Sequence, residues 1–209
     1  MKKRITDIKS QQKDSSRKSI YLDGEFFCSV DQTLLIKFGL RIGLSIDEDV
    51  LRKIIQEDEI LKAKNYAFDL LVRRSYTRKE MYNKLVQRYG EDAVSATMET
   101  LERLGYIKDE EYAKDWVESR KRHKPKGKKT LRMELMRKGI DKGTISRVLS
   151  EIDDSEEFEM AMKVAEKQMN HYKDLEPNIA RRRLYNFLER RGFDYETIND
   201  VIRYVMSEE

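Results

Sequence analysis

Leu135-Met136-Arg137-Lys138-Gly139-Ile140-Asp141 is a phrase that the chain repeats. Leu188 again stands four residues before a glycine, Gly192, with Asp194 two beyond it, and Leu85 shortly precedes Gly90 and Asp92. One turn upstream of each leucine sits another apolar residue: Leu131, Leu184 and Met81. Residues four apart share a helix face, so each pair marks a buried stripe. The glycine then stops the helix as a left-handed C-cap, and the aspartate accepts hydrogen bonds from the first amides of the next helix. The phrase therefore predicts helix, tight stop, N-cap, helix, with a period of about fifty residues. A unit of that kind cannot bury its apolar face alone and needs its neighbours.

Beyond the glycine, Ile145, Val148, Leu149 and Ile152 match Ile198, Val201, Ile202 and Val205 in offset. In the first copy the stripe is Val94, Met98 and Leu101, shifted in phase, and an extra residue, Tyr89, precedes the glycine. Upstream of each phrase lies one more amphipathic segment: Ala67, Leu70 and Leu71; then Tyr112, Ala113, Trp116 and Val117; then Met160, Ala161, Val164 and Ala165. Each repeat reads as three helices. Thr77 with Glu80 (a capping box), Asp109, and Ser155 with Glu156 and Glu157 are the predicted helix starts.

The first part of the chain follows another rule. Arg17 to Leu22 and Phe26 to Val30 are β-rich runs joined by Asp23-Gly24, a dipeptide suited to a two-residue hairpin. Arg4 to Lys9 reads as a third strand, Asp31 to Phe38 as a short helix, and Ser45 to Ile55 as a better helix with Ser45 and Glu48 in a capping box. The predicted fold is mostly α: tandem three-helix repeats forming an elongated curved rod, with a small N-terminal β-hairpin and helix region. Its segments are 1–58 for the N-terminal extension, then 59–106, 107–153 and 154–209 for the three repeats.

Hydrophobic and charged residues each make up 39% of the 209 residues, and glycine and proline number only 9 and 2, a profile that favours helices with much surface. One cysteine, Cys28, leaves no disulfide framework, and no apolar run has the length of a signal core or a membrane span. A monomeric cytoplasmic protein is expected. Cys28 reads as a small hydrophobe in a strand.

The net charge is +4, but its distribution is lopsided. Arg120, Lys121, Arg122, Lys124, Lys126, Lys128, Lys129, Arg132, Arg137 and Lys138 face one acid, Glu134, in the run from Arg120 to Lys138, whereas Glu151 to Glu159 holds six acids and no base. A solvated helix face is the ordinary reading of such a run. Its placement argues for more, because it fills the link between two helices of the central repeat, where Pro125 and Gly127 predict an exposed turn. Arg181, Arg182 and Arg183 start the equivalent helix of the third repeat, followed by Arg190 and Arg191, and Arg73, Arg74, Arg78 and Lys79 occupy that place in the first. One basic ridge is expected, able to neutralise phosphates without reading bases. Tyr66, Tyr76, Tyr82, Tyr89 and Tyr106 lie among these charges, either to stack on bases or, more ordinarily, to pack at repeat junctions. Trp116 reads as core.

Catalysis has little support. His123 and His171 are far apart and without metal-ligand spacing, and no glycine loop cradles phosphate. No cofactor or metal is expected, nor an enzyme.

The string Leu71-Val72-Arg73-Arg74-Ser75-Tyr76-Thr77-Arg78-Lys79-Glu80-Met81, followed by Leu104-Gly105-Tyr106-Ile107-Lys108-Asp109, resembles the first repeat of the RecX family. Lys126-Gly127 through Glu134-Leu135 to Lys138-Gly139-Ile140 resembles its second, and Leu188-Glu189-Arg190-Arg191-Gly192-Phe193 its third. The resemblance implies a regulator of the RecA recombinase in homologous recombination, DNA repair and the SOS response. It implies binding in the groove of the RecA-DNA filament and inhibition of ATPase, strand exchange and coprotease activity. The expected partners are the RecA filament and single- or double-stranded DNA without base preference. The candidate contacts are Arg73, Arg74, Lys121, Arg122, Lys124, Lys126, Lys128, Lys129, Arg132, Arg181, Arg182, Arg183, Arg190 and Arg191. Two other readings share these features: a repeat protein acting directly on DNA, and an adaptor that uses its apolar faces.

Overall fold

The computed structural model describes residues 2–12 and 14–207. The chain is mostly helical, with three-helix repeats and a small N-terminal sheet, and it divides into two compact units, Met1–Arg74 with Met81–Tyr106, and Ser75–Glu80 with Ile107–Glu209.

In the first unit, strands β1 (Lys2–Ser10), β2 (Arg17–Leu22), β3 (Glu25–Asp31) and β4 (Ser45–Asp47) form one sheet in the order β3-β2-β1-β4. The β2–β3 hairpin turns at Asp23 (φ 49°) and Gly24 (φ 91°), two successive positive φ values that match the twist of the flanking strands. Helix α1 (Gln32–Lys37) is capped by Asp31, whose carboxylate accepts from the Thr33 amide. Ile5, Ile20, Leu22, Val30 and Ile54 are buried between the sheet and helix α2 (Glu48–Leu71). A charged knot fixes that packing. The Asp58 carboxylate on α2, 3% exposed, accepts from the Arg17 guanidinium, the Lys62 ammonium and the Asp31 amide. Burial opposes its ionisation, but these donors hold its carboxyl below the usual aspartate range. Cys28 packs partly buried on β3, and burial pushes its thiol pKa up to about 11, so it behaves as a small hydrophobe.

The expected helix from Ser45 to Ile55 is corrected here. Ser45–Asp47 is a strand paired with Lys2–Arg4 of β1, and the helix starts at Glu48 and runs unbroken to Leu71. Ser45 and Glu48 have capping-box spacing, but backbone pairing with β1 takes Ser45. Helices α3 (Arg78–Leu85) and α4 (Glu91–Arg103) follow, with Met81, Leu85, Val94, Met98 and Leu101 buried. Gly90 is not a left-handed C-cap. At φ −67° it is the N-cap of α4, and its amide donates to Glu59. Asp92 lies inside the first turn rather than at the cap, because the extra residue before Gly90 displaces the phrase.

The second unit holds α5 (Asp109–His123), α6 (Lys128–Lys138), α7 (Lys142–Ser150), α8 (Asp154–Met169), α9 (Pro177–Arg190) and α10 (Tyr195–Ser207). Leu131, Leu135, Leu184 and Leu188 are fully buried. Gly139 (φ 88°) and Gly192 (φ 86°) end α6 and α9 in the left-handed region, and Asp141 and Asp194 then accept from the amides of Thr144 and Thr197. The Thr77–Glu80 capping box forms as expected. Two helix starts are shifted. The cap of α8 is Asp153, not Ser155, since its carboxylate reaches the Glu156 amide. Asp109 is already inside α5, and its carboxylate accepts from the Arg78 amide instead.

Candidate nucleic-acid interface

The basic run enters at the end of α5, where Arg120, Lys121, Arg122 and His123 meet the negative end of the helix dipole. The link to α6 is not the exposed turn expected from Pro125 and Gly127, because both residues are buried. The Gly127 amide donates to the carbonyl of Arg191 (3.0 Å), the Lys129 amide to that of Gly192 (3.2 Å), and the Arg191 guanidinium to that of Pro125 (3.2 Å). The orphan amides at the start of α6 thus meet orphan carbonyls at the end of α9. A side chain at 127 would overlap the Gly192 carbonyl, so only glycine fits this approach. The end of α6 repeats the arrangement: the Lys138 carbonyl accepts from the Thr77 hydroxyl at 2.7 Å, and Gly139 lies against Lys79.

Half of the central cations are consumed internally. Lys121 pairs with Glu156 (2.7 Å) and Glu118 (2.9 Å), and its pKa is raised: burial disfavours the charge, but the two carboxylates outweigh it. Lys128 lies 3.0 Å from Glu157, a carboxylate only 1% exposed, and its own amide also donates to Glu157. The ammonium contact is an ion pair without hydrogen-bond alignment, so the amide is the directional partner. Arg120, Lys126 and the Trp116 indole all donate to Glu134. Burial resists ionisation there, yet the three donors hold the Glu134 carboxyl below the usual glutamate range. Trp116 is therefore half-buried rather than core, stacked on Tyr112 and covered by Arg120 and Lys138. Three residues of the acidic block, Asp154, Glu156 and Glu157, thus supply the counter-charge of Lys121 and Lys128.

Other cations remain in solvent. Lys124, Lys129 and Arg132 are exposed, and among the described residues none has a carboxylate at ion-pair distance. Arg122 is exposed and only 3.9 Å from Glu118 at its nearest. Arg181, Arg182, Arg183 and Arg190 are exposed on α9, which begins at Pro177, so the triple arginine occupies its second turn rather than its start. Arg191 is spent on Pro125 and on the Phe187 ring. In the first unit Arg73 and Arg74 are exposed beyond the end of α2. The tyrosines mostly have partners of their own: Tyr66 faces Tyr89 and Arg88, Tyr106 packs edge-on against Phe68, and Tyr76 is buried. The pairing of Lys121 and Lys128 with the acidic block was missed in sequence, although two blocks of opposite charge so close along the chain were a usable signal.

Four family models match in chain order: the regulatory protein RecX N-terminal domain at residues 3–47, and the first, second and third RecX three-helix domains at 63–101, 109–149 and 154–202. The regulatory protein RecX of Clostridium perfringens is 31% identical over 99% of this chain and 98% of its own length. The chain belongs to the RecX family. That of Clostridioides difficile is 29% identical over 97% of the chain and 96% of its own. Among solved structures, a crystal structure of regulatory protein RecX superposes with a TM-score of 0.78 at 26% identity, covering 95% of this chain and 98% of that one. The crystal structure of RecX from Lactobacillus salivarius gives 0.66 at 30% identity, covering 71% and 97%. The RecX three-helix domains therefore carry the cations described above. Among the described residues no cluster of histidine, cysteine and carboxylate side chains is arranged to hold a metal, and no helix is long and apolar enough to cross a membrane.

Proposed function

We propose that this regulatory protein acts on the RecA recombinase, binding in the groove of the RecA-DNA filament and restraining ATP hydrolysis, strand exchange and coprotease activity. The observation that carries this reading is the likeness to RecX proteins along almost the whole chain. The cations left in solvent, Lys124, Lys129, Arg132 and Arg181 to Arg183, supply charge for phosphates or for acidic side chains of the filament. Lys126 serves instead to hold the central repeat together, and Lys121, Lys128 and Arg191 join it to the third. A second reading, direct and sequence-tolerant binding to DNA, is favoured by the same exposed cations. RecA-driven strand exchange between homologous DNAs separates the two: a filament regulator slows it at far less than one copy per RecA, whereas a DNA binder acts only when it coats the DNA.

A further inference from the structure

The outward side of α6 differs from that of α9. Opposite the buried Leu131 and Leu135, the spacing of Lys129, Arg132, Met133, Met136 and Arg137 places them on one face, and all five are exposed. Both methionines are 45% exposed. The only acid of the helix, Glu134, is turned away toward Arg120, Lys126 and Trp116, so the stripe is apolar and cationic without a carboxylate. On α9 the same offsets hold Arg182, Tyr185, Asn186, Glu189 and Arg190, which carry no exposed apolar pair.

Phosphate has no use for a pair of thioethers, because backbone contacts to nucleic acid are made by cations, hydroxyls and amides. Methionine beside arginine is instead the composition of protein interfaces, where a flexible apolar chain fills an irregular hollow and arginine meets carboxylates. We infer that the Met133–Met136 stripe of α6 docks on a protein face that pairs an apolar hollow with flanking carboxylates, carried by the recombinase subunits of the filament rather than by its DNA. This rests on the RecA reading above. It divides the labour: α6 recognises protein, and Arg181 to Arg183 on α9 remain for phosphate.

The test uses the full chain, RecA filaments pre-assembled on single-stranded DNA, and naked single-stranded DNA. Met133→Glu with Met136→Glu adds repulsion toward carboxylates, and Met133→Gln with Met136→Gln removes the apolar surface without changing charge. Both substitutions lie in solvent, and melting curves verify that the fold is kept. The expected result is filament affinity about tenfold weaker or worse for the glutamate pair and reduced for the glutamine pair, with the glutamine pair unchanged on naked DNA. Wild-type filament affinity in both variants overturns the inference and leaves the RecA reading standing. So does a parallel loss on naked DNA by the glutamine pair, which makes the stripe a DNA surface. A wild-type dimer that the glutamate pair dissolves makes it a self-interface and also overturns the inference. Failure of the wild-type chain to bind filaments removes the RecA reading and the inference together.

Discussion

The hydroxyl of Thr77 donates to the main-chain carbonyl of Lys138 at 2.7 Å, across 61 positions of sequence. The same threonine closes a capping box, accepting from the Glu80 amide at 3.2 Å, while the Glu80 carboxylate receives the Lys138 ammonium at 2.7 Å. One residue thus starts a helix of one repeat and finishes a helix of the next. Thr77→Val keeps the shape but removes the donor and the cap. A loss of about 1–2 kcal/mol is expected, read as a lower midpoint in urea with an unchanged slope.

Gly127 makes the corresponding approach to Arg191 and Gly192. Its φ of −67° suits any residue, so the constraint is space alone. Gly127→Ala should lower stability by about 2–3 kcal/mol, since the clash is with backbone rather than a movable side chain. Gly90→Ala, whose nearest neighbour is the Glu59 side chain at 3.4 Å, should change the melting temperature little.

How much of this was legible in sequence varies with what fixed it. The leucine pairs, the Asp141 and Asp194 caps and the Asp23-Gly24 hairpin are local arrangements, and each formed where the pattern placed it. The strand Ser45–Asp47 was not legible, because three residues have no periodicity and their partner lies at Lys2–Arg4. Gly90 misled for a related reason: one inserted residue turns a stop into a start. Among the cations, the residue types were visible but their carboxylate partners were not, and those partners decide which charges reach solvent.

That division has a measurable consequence. Arg182→Glu with Arg183→Glu should weaken DNA binding and flatten its dependence on salt by roughly one unit of slope for each phosphate no longer neutralised, leaving the melting temperature unchanged. Lys128→Gln should do the reverse, costing roughly 1–2 kcal/mol of stability by removing the counter-charge of Glu157 and leaving it the Lys128 amide, less than for a fully buried pair because Lys128 keeps some water. Equal effects of the two variants on DNA binding would contradict the assignment.

Glu134 predicts a pH dependence. Its folded carboxyl titrates below its ordinary value of 4.5, held down by Arg120, Lys126 and Trp116 against burial. The folded state therefore gains stability from this group above that value and loses it as pH falls through the lower folded pKa. Glu134→Gln should be less stable than wild type at neutral pH, with the gap narrowing as the solution is acidified below the ordinary glutamate range. A gap that stays constant from neutral to acid pH would show that the ion pairs contribute nothing.

The most direct test of the central claim is the rate of ATP hydrolysis by RecA pre-assembled on single-stranded DNA, titrated with this chain at a salt concentration where it does not bind naked DNA. The account predicts inhibition well below one copy per RecA, weakened by Lys124→Glu with Lys129→Glu. An unchanged rate, beside tight and salt-sensitive binding to naked DNA, would contradict it.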